Sequence, residues 1–166
     1  MTKTTLLIGL LLLIFSTGAS AQRESLWKYY EKIDNFDDDN NYSTVFIMGE
    51  GKEDLSFGFE CAGSSNITLY LTDLSRSFSN ATPILLQVDK GEIHRDIWRG
   101  IAMRLSSPFN QNLSVSLKRI IREMLTGETL HFRTTDSDGE RIEESMSLAN
   151  FGEVVRLLSC YNDADL

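Results

Sequence analysis

The sequence contains few of the residues that coordinate metals or perform nucleophilic catalysis. Only two histidines and two cysteines occur among its 166 residues. A serine or cysteine nucleophile needs a histidine beside it, and Gly63-Ser64-Ser65 does not match the G-x-S-x-G turn of serine hydrolases. We therefore interpret His94 and His131 as surface or edge residues, not as general bases, and we predict no catalytic, metal-binding or cofactor-binding residue.

The sequence also lacks an apolar run of the roughly 20 residues that span a bilayer. Its apolar stretch near the N-terminus extends only from Leu6 to Phe15, and no cysteine that could carry a lipid follows it. Lys3 precedes this stretch, and Ala19-Ser20-Ala21 follows it with the small-x-small pattern of a signal-peptidase site. These features predict a secretory signal peptide, with an uncleaved membrane anchor as the alternative.

Cleavage between Ala21 and Gln22 would separate a signal peptide, residues 1–21, from one domain, residues 22–166. Lys3 is the only charged residue lost, so the mature chain would have 15 basic and 24 acidic residues and a net charge of −9. An acidic protein repels phosphate backbones and anionic lipid headgroups. We therefore do not expect nucleic acid or a membrane surface as a partner, nor membrane insertion after signal cleavage.

An even number of cysteines in an exported protein predicts disulfide bonds, here a single bond between Cys61 and Cys160. Closing a loop of about 100 residues stabilises a fold by roughly 4–5 kcal/mol in the chain-entropy model. Two free buried thiols and a metal-binding pair are the alternatives. Two thiols so far apart, in a chain with two histidines, make a poor zinc site.

Alternating apolar and polar residues predict about seven or eight β-strands joined by short turns, which implies antiparallel pairing. The runs are residues 44–48 and 55–61 as a hairpin, then 67–72, 84–88, 101–105, 130–133 and 142–148, with 27–33 as a first strand or a helical turn. A hairpin is also predicted at Asp138-Gly139.

Two helices are predicted in the second half of the chain. Residues 113–125 show apolar side chains at helical spacing, and Gly127 stands where a helix often ends in a left-handed residue. A last helix is expected to begin at Asn150, with Asn150 and Glu153 as its capping box. The predicted class is α+β: a mainly antiparallel sheet with both helices on one face and one disulfide.

Two acidic clusters have oxygen ligands at alternate positions, as calcium loops do. They are Asp37, Asp39 and Asn41, and Asp136, Asp138 and Glu140. In the first cluster, Tyr42 and Met48 stand where an EF-hand requires glycine and glutamate. Both clusters are therefore interpreted as solvated turns. A pair of catalytic carboxylates for glycoside cleavage is the alternative enzymatic interpretation, but the sequence singles out no pair.

Several landmarks in this order resemble a known family. They are the signal peptide, Trp27, the acidic turn, a hairpin ending at Cys61, Asp89-Lys90-Gly91, Trp98, the helix before Leu125-Thr126-Gly127, and Ser147-Leu148 and Phe151 before Cys160. The chain resembles the periplasmic type VI secretion accessory protein family (VasI/TagO-like) and, more loosely, invasion-associated locus B exported proteins. The resemblance covers most of the mature chain.

The resemblance implies a bacterial periplasmic protein whose disulfide joins sheet to helix, with a binding or assembly role and no enzymatic activity. Its partner would be another periplasmic or envelope protein. An exported inhibitor or exclusion factor of prophage type is the alternative function. Five aromatic residues are expected mostly to complete the core, with a binding face as the alternative: Trp27, Tyr29, Tyr30, Phe36 and Phe109.

Overall fold

The computed structural model describes residues 26–33, 41–62, 67–108 and 115–161. The predicted signal peptide and its cleavage site at Ala21 and Gln22 lie outside these residues. So do the acidic positions Asp37 and Asp39, and Phe36 and Phe109, two of the five aromatic residues expected in the core or a binding face.

The described residues form one antiparallel sheet of nine strands and two α-helices, which confirms the predicted α+β class. The strands are β1 (Lys28–Lys32), β2 (Tyr42–Gly49), β3 (Lys52–Ala62), β4 (Ile67–Asp73), β5 (Thr82–Val88), β6 (His94–Ile101), β7 (Arg104–Ser106), β8 (Thr129–Thr135) and β9 (Arg141–Ser147). The helices are α1 (Val115–Met124) and α2 (Phe151–Val155). The strand order across the sheet is β1-β2-β3-β4-β7-β6-β5-β8-β9.

The sheet curves until its two ends approach each other. The indole Nε1 of Trp27, just before β1, donates to the carbonyl of Ser147 at the end of β9, 2.9 Å away. Lys52 at the start of β3 forms an ion pair with Glu144 of β9. β6 joins the two halves, because its first part pairs with β5 and its last three residues pair with β7.

The inner side of this curved sheet encloses the hydrophobic core. Phe57 of β3 lies against Phe132 of β8, with ring centroids 6.2 Å apart, and against Trp98 of β6 at the same distance. Both helices pack on this inner side, α1 through Ile120 and α2 through Phe151, and each of these two side chains is fully buried. Within the described ranges, neither helix is long and apolar enough to cross a membrane.

The predicted disulfide is present and joins Cys61, at the end of β3, to Cys160, after α2. The two Cα atoms are 5.7 Å apart. A hydrogen bond beside the disulfide also links the Cys160 segment to the sheet: the hydroxyl of Ser43 accepts from the backbone N–H of Ser159, 3.0 Å away. The bond thus fastens the segment after α2 to the sheet, as expected.

Two details of the helix ends differ from the sequence prediction. Gly127 does not have a positive φ; it is glycine because a Cβ would lie 2.2 Å from Cγ1 of Val88. Asn150 has a φ of 58° and makes no side-chain cap bond to α2, so the predicted capping box with Glu153 is wrong. Its amide instead bonds the backbone N–H and carbonyl of Trp27, at 3.0 and 3.2 Å.

The strand predicted at residues 101–105 is also wrong. Ala102 and Met103 form the tight turn between β6 and β7, with a φ of 51° at Ala102, and Ile101 pairs with Arg104 across it. β6, which precedes this turn, was not predicted. Residues 27–33, predicted as a strand or a helical turn, contain strand β1.

Candidate binding site

A shallow groove lies on the outer face of the sheet, over β1, β2, β3, β4 and β7. Successive side chains of a strand point to opposite faces of the sheet, so the groove is lined by residues adjacent in sequence to those that point into the core. Its volume is about 450 Å³. The lining residues that shape it are Tyr30, Tyr42, Phe46, Glu60, Tyr70 and Arg104. Lys28 also lines it, so the groove combines aromatic surface with two cations and one carboxylate.

The floor of the groove is the ring of Tyr70, which is only 8% exposed. The ring lies directly over Gly58 of β3, where a Cβ would come within 2.7 Å of it. Glycine at position 58 is thus what lets the ring lie against the strand. This arrangement gives the groove a flat aromatic base.

The hydroxyl of Tyr70 is held by Thr44. The Thr44 hydroxyl donates to the carbonyl of Phe59, 2.9 Å away, so its oxygen accepts from Tyr70, 3.0 Å away. Burial raises the pKa of the Tyr70 phenol above its ordinary value, and the nearby charge of Glu60 adds to this effect. The nearby positive charge of Arg104 lowers the pKa but does not outweigh burial. Tyr70 is therefore a neutral, fixed donor at physiological pH.

Arg104 forms one wall of the groove. Its guanidinium lies 4.3 Å from the centroid of the Tyr70 ring, a cation–π contact. One guanidinium nitrogen also contacts Glu60 of β3 at 3.2 Å, and Nε donates to the hydroxyl of Ser106 at 3.2 Å. The side chain is still 37% exposed. An arginine held on three sides presents its remaining donors in a defined direction.

Tyr30 and Tyr42 form the other wall. Their ring centroids are 5.9 Å apart, and the Tyr30 side chain is half exposed. Burial raises the pKa of the Tyr42 phenol above its ordinary value, and the adjacent Tyr30 adds to the effect. The two residues offer apolar ring faces beside polar hydroxyls. Tyrosine and arginine are the residue types enriched at protein interfaces.

The five aromatic residues, expected mostly to complete the core, are divided between the core and this groove. Tyr30 lies in it, but Trp27 is 3% exposed and belongs to the core. Tyr42 and Tyr70, which also line the groove, were not predicted to be site residues. The signal was present for Tyr70, because it alternates with the core residues Leu69 and Leu71 and must point the other way.

His94 is not a surface residue, contrary to the sequence prediction. It is 7% exposed, and its Nε2 lies 2.9 Å from a carboxylate oxygen of Glu123 on α1. Glu123 also pairs with Arg119 at 3.3 Å. Sequence alone does not bring these residues together, since 29 positions separate His94 from Glu123. The contact joins β6 to α1 beneath the sheet.

His131 lies on the outward side of β8, opposite to Leu130 and Phe132 as expected. Its Nδ1 is 2.6 Å from the hydroxyl of Ser145, its cross-strand neighbour on β9. Among the described residues, no carboxylate contacts the other ring nitrogen. Serine–histidine catalysis also uses a third group that orients the histidine. Because the described residues place no carboxylate there, we interpret the His131–Ser145 contact as a cross-strand pair.

The cluster around Asp136 is a turn held by hydrogen bonds, in agreement with the sequence interpretation. Its Oδ1 accepts the backbone N–H groups of Asp138 at 3.0 Å and Glu140 at 2.8 Å. Its Oδ2 accepts from Arg76 at 2.8 Å. Burial raises the pKa of Asp136, but these hydrogen bonds lower it by more, so the carboxyl is ionised near pH 7. A general acid for glycoside cleavage needs the opposite shift.

Within the described ranges, no three His, Cys, Asp or Glu side chains are grouped so that they could hold a metal ion. Comparisons of the chain with models of protein families, with characterised proteins and with solved structures find no match. The resemblance to periplasmic secretion accessory proteins therefore stays a prediction. The chemistry that the outer face offers is binding through aromatic rings and a fixed guanidinium.

Proposed function

We propose that this protein is a non-enzymatic adaptor exported to the bacterial periplasm, where it binds another envelope protein and serves a secretion apparatus. The observation that carries the proposal is the groove built around Tyr70 and Arg104. Its side chains are held by contacts within the protein before any partner arrives. A surface organised in this way loses less side-chain entropy on binding.

The disulfide supports the compartment in this proposal. Disulfides persist in oxidising environments such as the periplasm and are rare in the cytoplasm. The Cys61–Cys160 bond holds together two segments whose cysteines are 99 positions apart. The predicted signal peptide supports the same location independently of the fold.

The experiment uses residues 22–166, immobilised, to capture proteins from periplasmic extract, and compares the native sequence with Tyr30→Ala/Arg104→Ala. The control is Lys90→Ala, an exposed residue in the turn after β5. We expect one or a few proteins that the native and control forms retain and the double variant loses. Identical captured sets for all three forms would contradict a role for the groove.

Deletion of the gene tests the rest of the proposal. We expect reduced secretion by the apparatus, restored by the native gene but not by the Tyr30→Ala/Arg104→Ala form. The purified protein should leave peptidoglycan and its soluble fragments unchanged. Cleavage of either would replace the adaptor with an enzyme.

A further inference from the structure

The outer face of β6 carries alternating arginine and isoleucine side chains. His94, Trp98 and Gly100 point into the fold and Asp96 shares their side of the strand, so the alternate positions point outward. These outward residues are Arg95, Ile97, Arg99 and Ile101. Ile97 and Ile101 are 62% and 63% exposed, although isoleucine is among the residues most often buried. This strand therefore exposes apolar surface in the middle of the sheet.

The strands on either side extend this surface. Pro83 of β5 pairs with Ile97, and Leu85 of β5 pairs with Arg95. On the other side Arg104 of β7, the arginine of the groove wall, pairs with Ile101. The arginine–isoleucine face, defined as the outward residues of β5, β6 and β7, is thus continuous with the tyrosine groove.

The charge of this face is opposite to that of the chain. The protein has 24 acidic and 16 basic residues, but the outward positions of β5, β6 and β7 carry three arginines and no carboxylate. Those positions are Pro83, Leu85, Gln87, Arg95, Ile97, Arg99, Ile101, Arg104 and Ser106. In the described part of the chain, Arg95 and Arg99 make no ion pair, whereas Arg104 contacts Glu60. The two arginines on β6 therefore have charge available for a partner.

We infer that the arginine–isoleucine face docks an extended, acidic and apolar segment of the partner protein. Arg95 and Arg99 lie about 13 Å apart along the strand, with Ile97 between them. An extended segment with the same rise places two acidic residues, four positions apart, opposite the arginines and one apolar residue opposite Ile97. The inference deepens the proposed function, on which it rests, by naming the partner's chemistry.

Charge also decides between this partner and an anionic membrane. Both would favour arginine and isoleucine at the contact, but a bilayer presents its negative charge to the whole protein, whose net charge is −8. A short acidic segment meets only the local cations. The face therefore matches a segment better than a lipid surface.

The test measures fluorescence anisotropy with three labelled peptides of otherwise equal sequence. Their centres are Asp-Thr-Ile-Thr-Asp, Asp-Thr-Ser-Thr-Asp and Lys-Thr-Ile-Thr-Lys. We expect the first to bind residues 22–166 and the other two to bind about tenfold more weakly or not at all, a difference of about 1.4 kcal/mol. Binding of the first should weaken as salt is raised.

A charge swap makes the test specific. Arg95→Glu/Arg99→Glu should bind the acidic peptide about tenfold more weakly than the native protein does, and the lysine peptide more tightly. Lys90→Glu/Arg122→Glu changes the net charge equally at exposed positions outside the face and should bind as the native protein does. A thermal melt of each variant shows that it folds.

Three outcomes overturn the inference. The first is absence of binding by the acidic peptide, and the second is equal binding of all three peptides. The third is arginine-dependent binding to phosphatidylglycerol vesicles or self-association in place of peptide binding. If Tyr30→Ala/Tyr42→Ala, which leaves every residue of the face in place, abolishes partner capture and Arg95→Glu/Arg99→Glu does not, the adaptor function stands and this face alone is rejected.

Discussion

The indole nitrogen of Trp27 donates a hydrogen bond to the carbonyl of Ser147, a residue 120 positions later in the chain. The same ring lies 4.7 Å from the ring of Phe151. One side chain near the start of the domain thus contacts both the end of β9 and the short helix α2. This contact holds together the two ends of the curved sheet.

Trp27→Phe should lower the free energy of unfolding by about 1–2 kcal/mol. The variant keeps an aromatic ring but leaves the part-buried carbonyl of Ser147 without this donor. Urea denaturation followed by circular dichroism measures the change. Leu26→Ala, at a neighbouring side chain that is 48% exposed, is the control and should change stability by less than about 0.5 kcal/mol. Equal stability of Trp27→Phe and the native protein would show that the bond contributes nothing.

Reduction of the Cys61–Cys160 disulfide should lower stability by about 4–5 kcal/mol, because the bond closes a long loop in the unfolded chain. Denaturation of the oxidised and reduced forms measures this difference. Ser43→Ala, which removes the adjacent hydrogen bonds to the backbone N–H and the hydroxyl of Ser159, should cost about 1–2 kcal/mol. In cells, the mature chain should resist alkylation until it is reduced. Free thiols in exported material would contradict both the bond and the oxidising compartment.

Asn150→Ala should destabilise the fold more than Asn150→Gly. Both substitutions remove the hydrogen bonds to the Trp27 backbone. Only alanine must also adopt a φ of 58°, which costs a residue with a Cβ about 1–2 kcal/mol more than glycine. Thermal denaturation compares the two variants. If Asn150 were an ordinary helix cap, glycine would cost only a few tenths of a kcal/mol relative to the native residue.

Tyr70→Phe should make the protein less sensitive to alkaline pH. The folded-state pKa of Tyr70 is raised by burial, so its contribution is complete below the unfolded-state pKa of about 10. The contribution is lost as pH rises from the unfolded-state pKa through the higher folded-state pKa, because between these two values only the unfolded chain ionises. Denaturation midpoints from pH 8 to 11 measure the loss. Parallel curves for the native protein and Tyr70→Phe would be inconsistent with a buried, neutral phenol.

Asp136→Asn should remove part of the acid sensitivity of the native protein. The folded-state pKa of Asp136 is lowered, so its contribution is present above the unfolded-state pKa near 4 and is lost as pH falls through the folded-state value. Stability measured from pH 6 to 2 should fall less in the variant. Asp138→Asn, at an exposed position of the same turn, is the matched control. An identical acid response in Asp136→Asn would show that its hydrogen bonds to Arg76 and the turn do not stabilise the ionised form.

Most strands could be predicted because their alternation follows local burial. Leu55, Phe57 and Phe59 all point inward on β3, with polar residues or glycine between them. β6 reverses this rule. Its inward positions include His94 and Gly100, and its outward positions include Ile97 and Ile101. The usual rule that the apolar side of a strand faces the core therefore assigns the wrong side of β6 to the interior. The strand that could not be predicted is therefore the one that carries the proposed docking face.

The site depends on contacts between strands that are distant in sequence. Tyr70 can be placed on the outer face from its own strand, but its neighbours cannot. Arg104 reaches it only because β7 pairs with β4 instead of continuing β6. Gly58, whose missing side chain makes room for the ring, comes from β3.

The sequence by itself determined the disulfide partners, since only two cysteines exist, and it determined most of the strand pattern and the α+β class. The tertiary structure decided that His94 meets Glu123, that Asn150 binds the backbone of Trp27, and that arginines gather on an outer face of an acidic protein. The physical reason is the range of the interactions. Alternation of side chains is a property of a few adjacent residues, whereas strand order depends on closing long loops around a shared core.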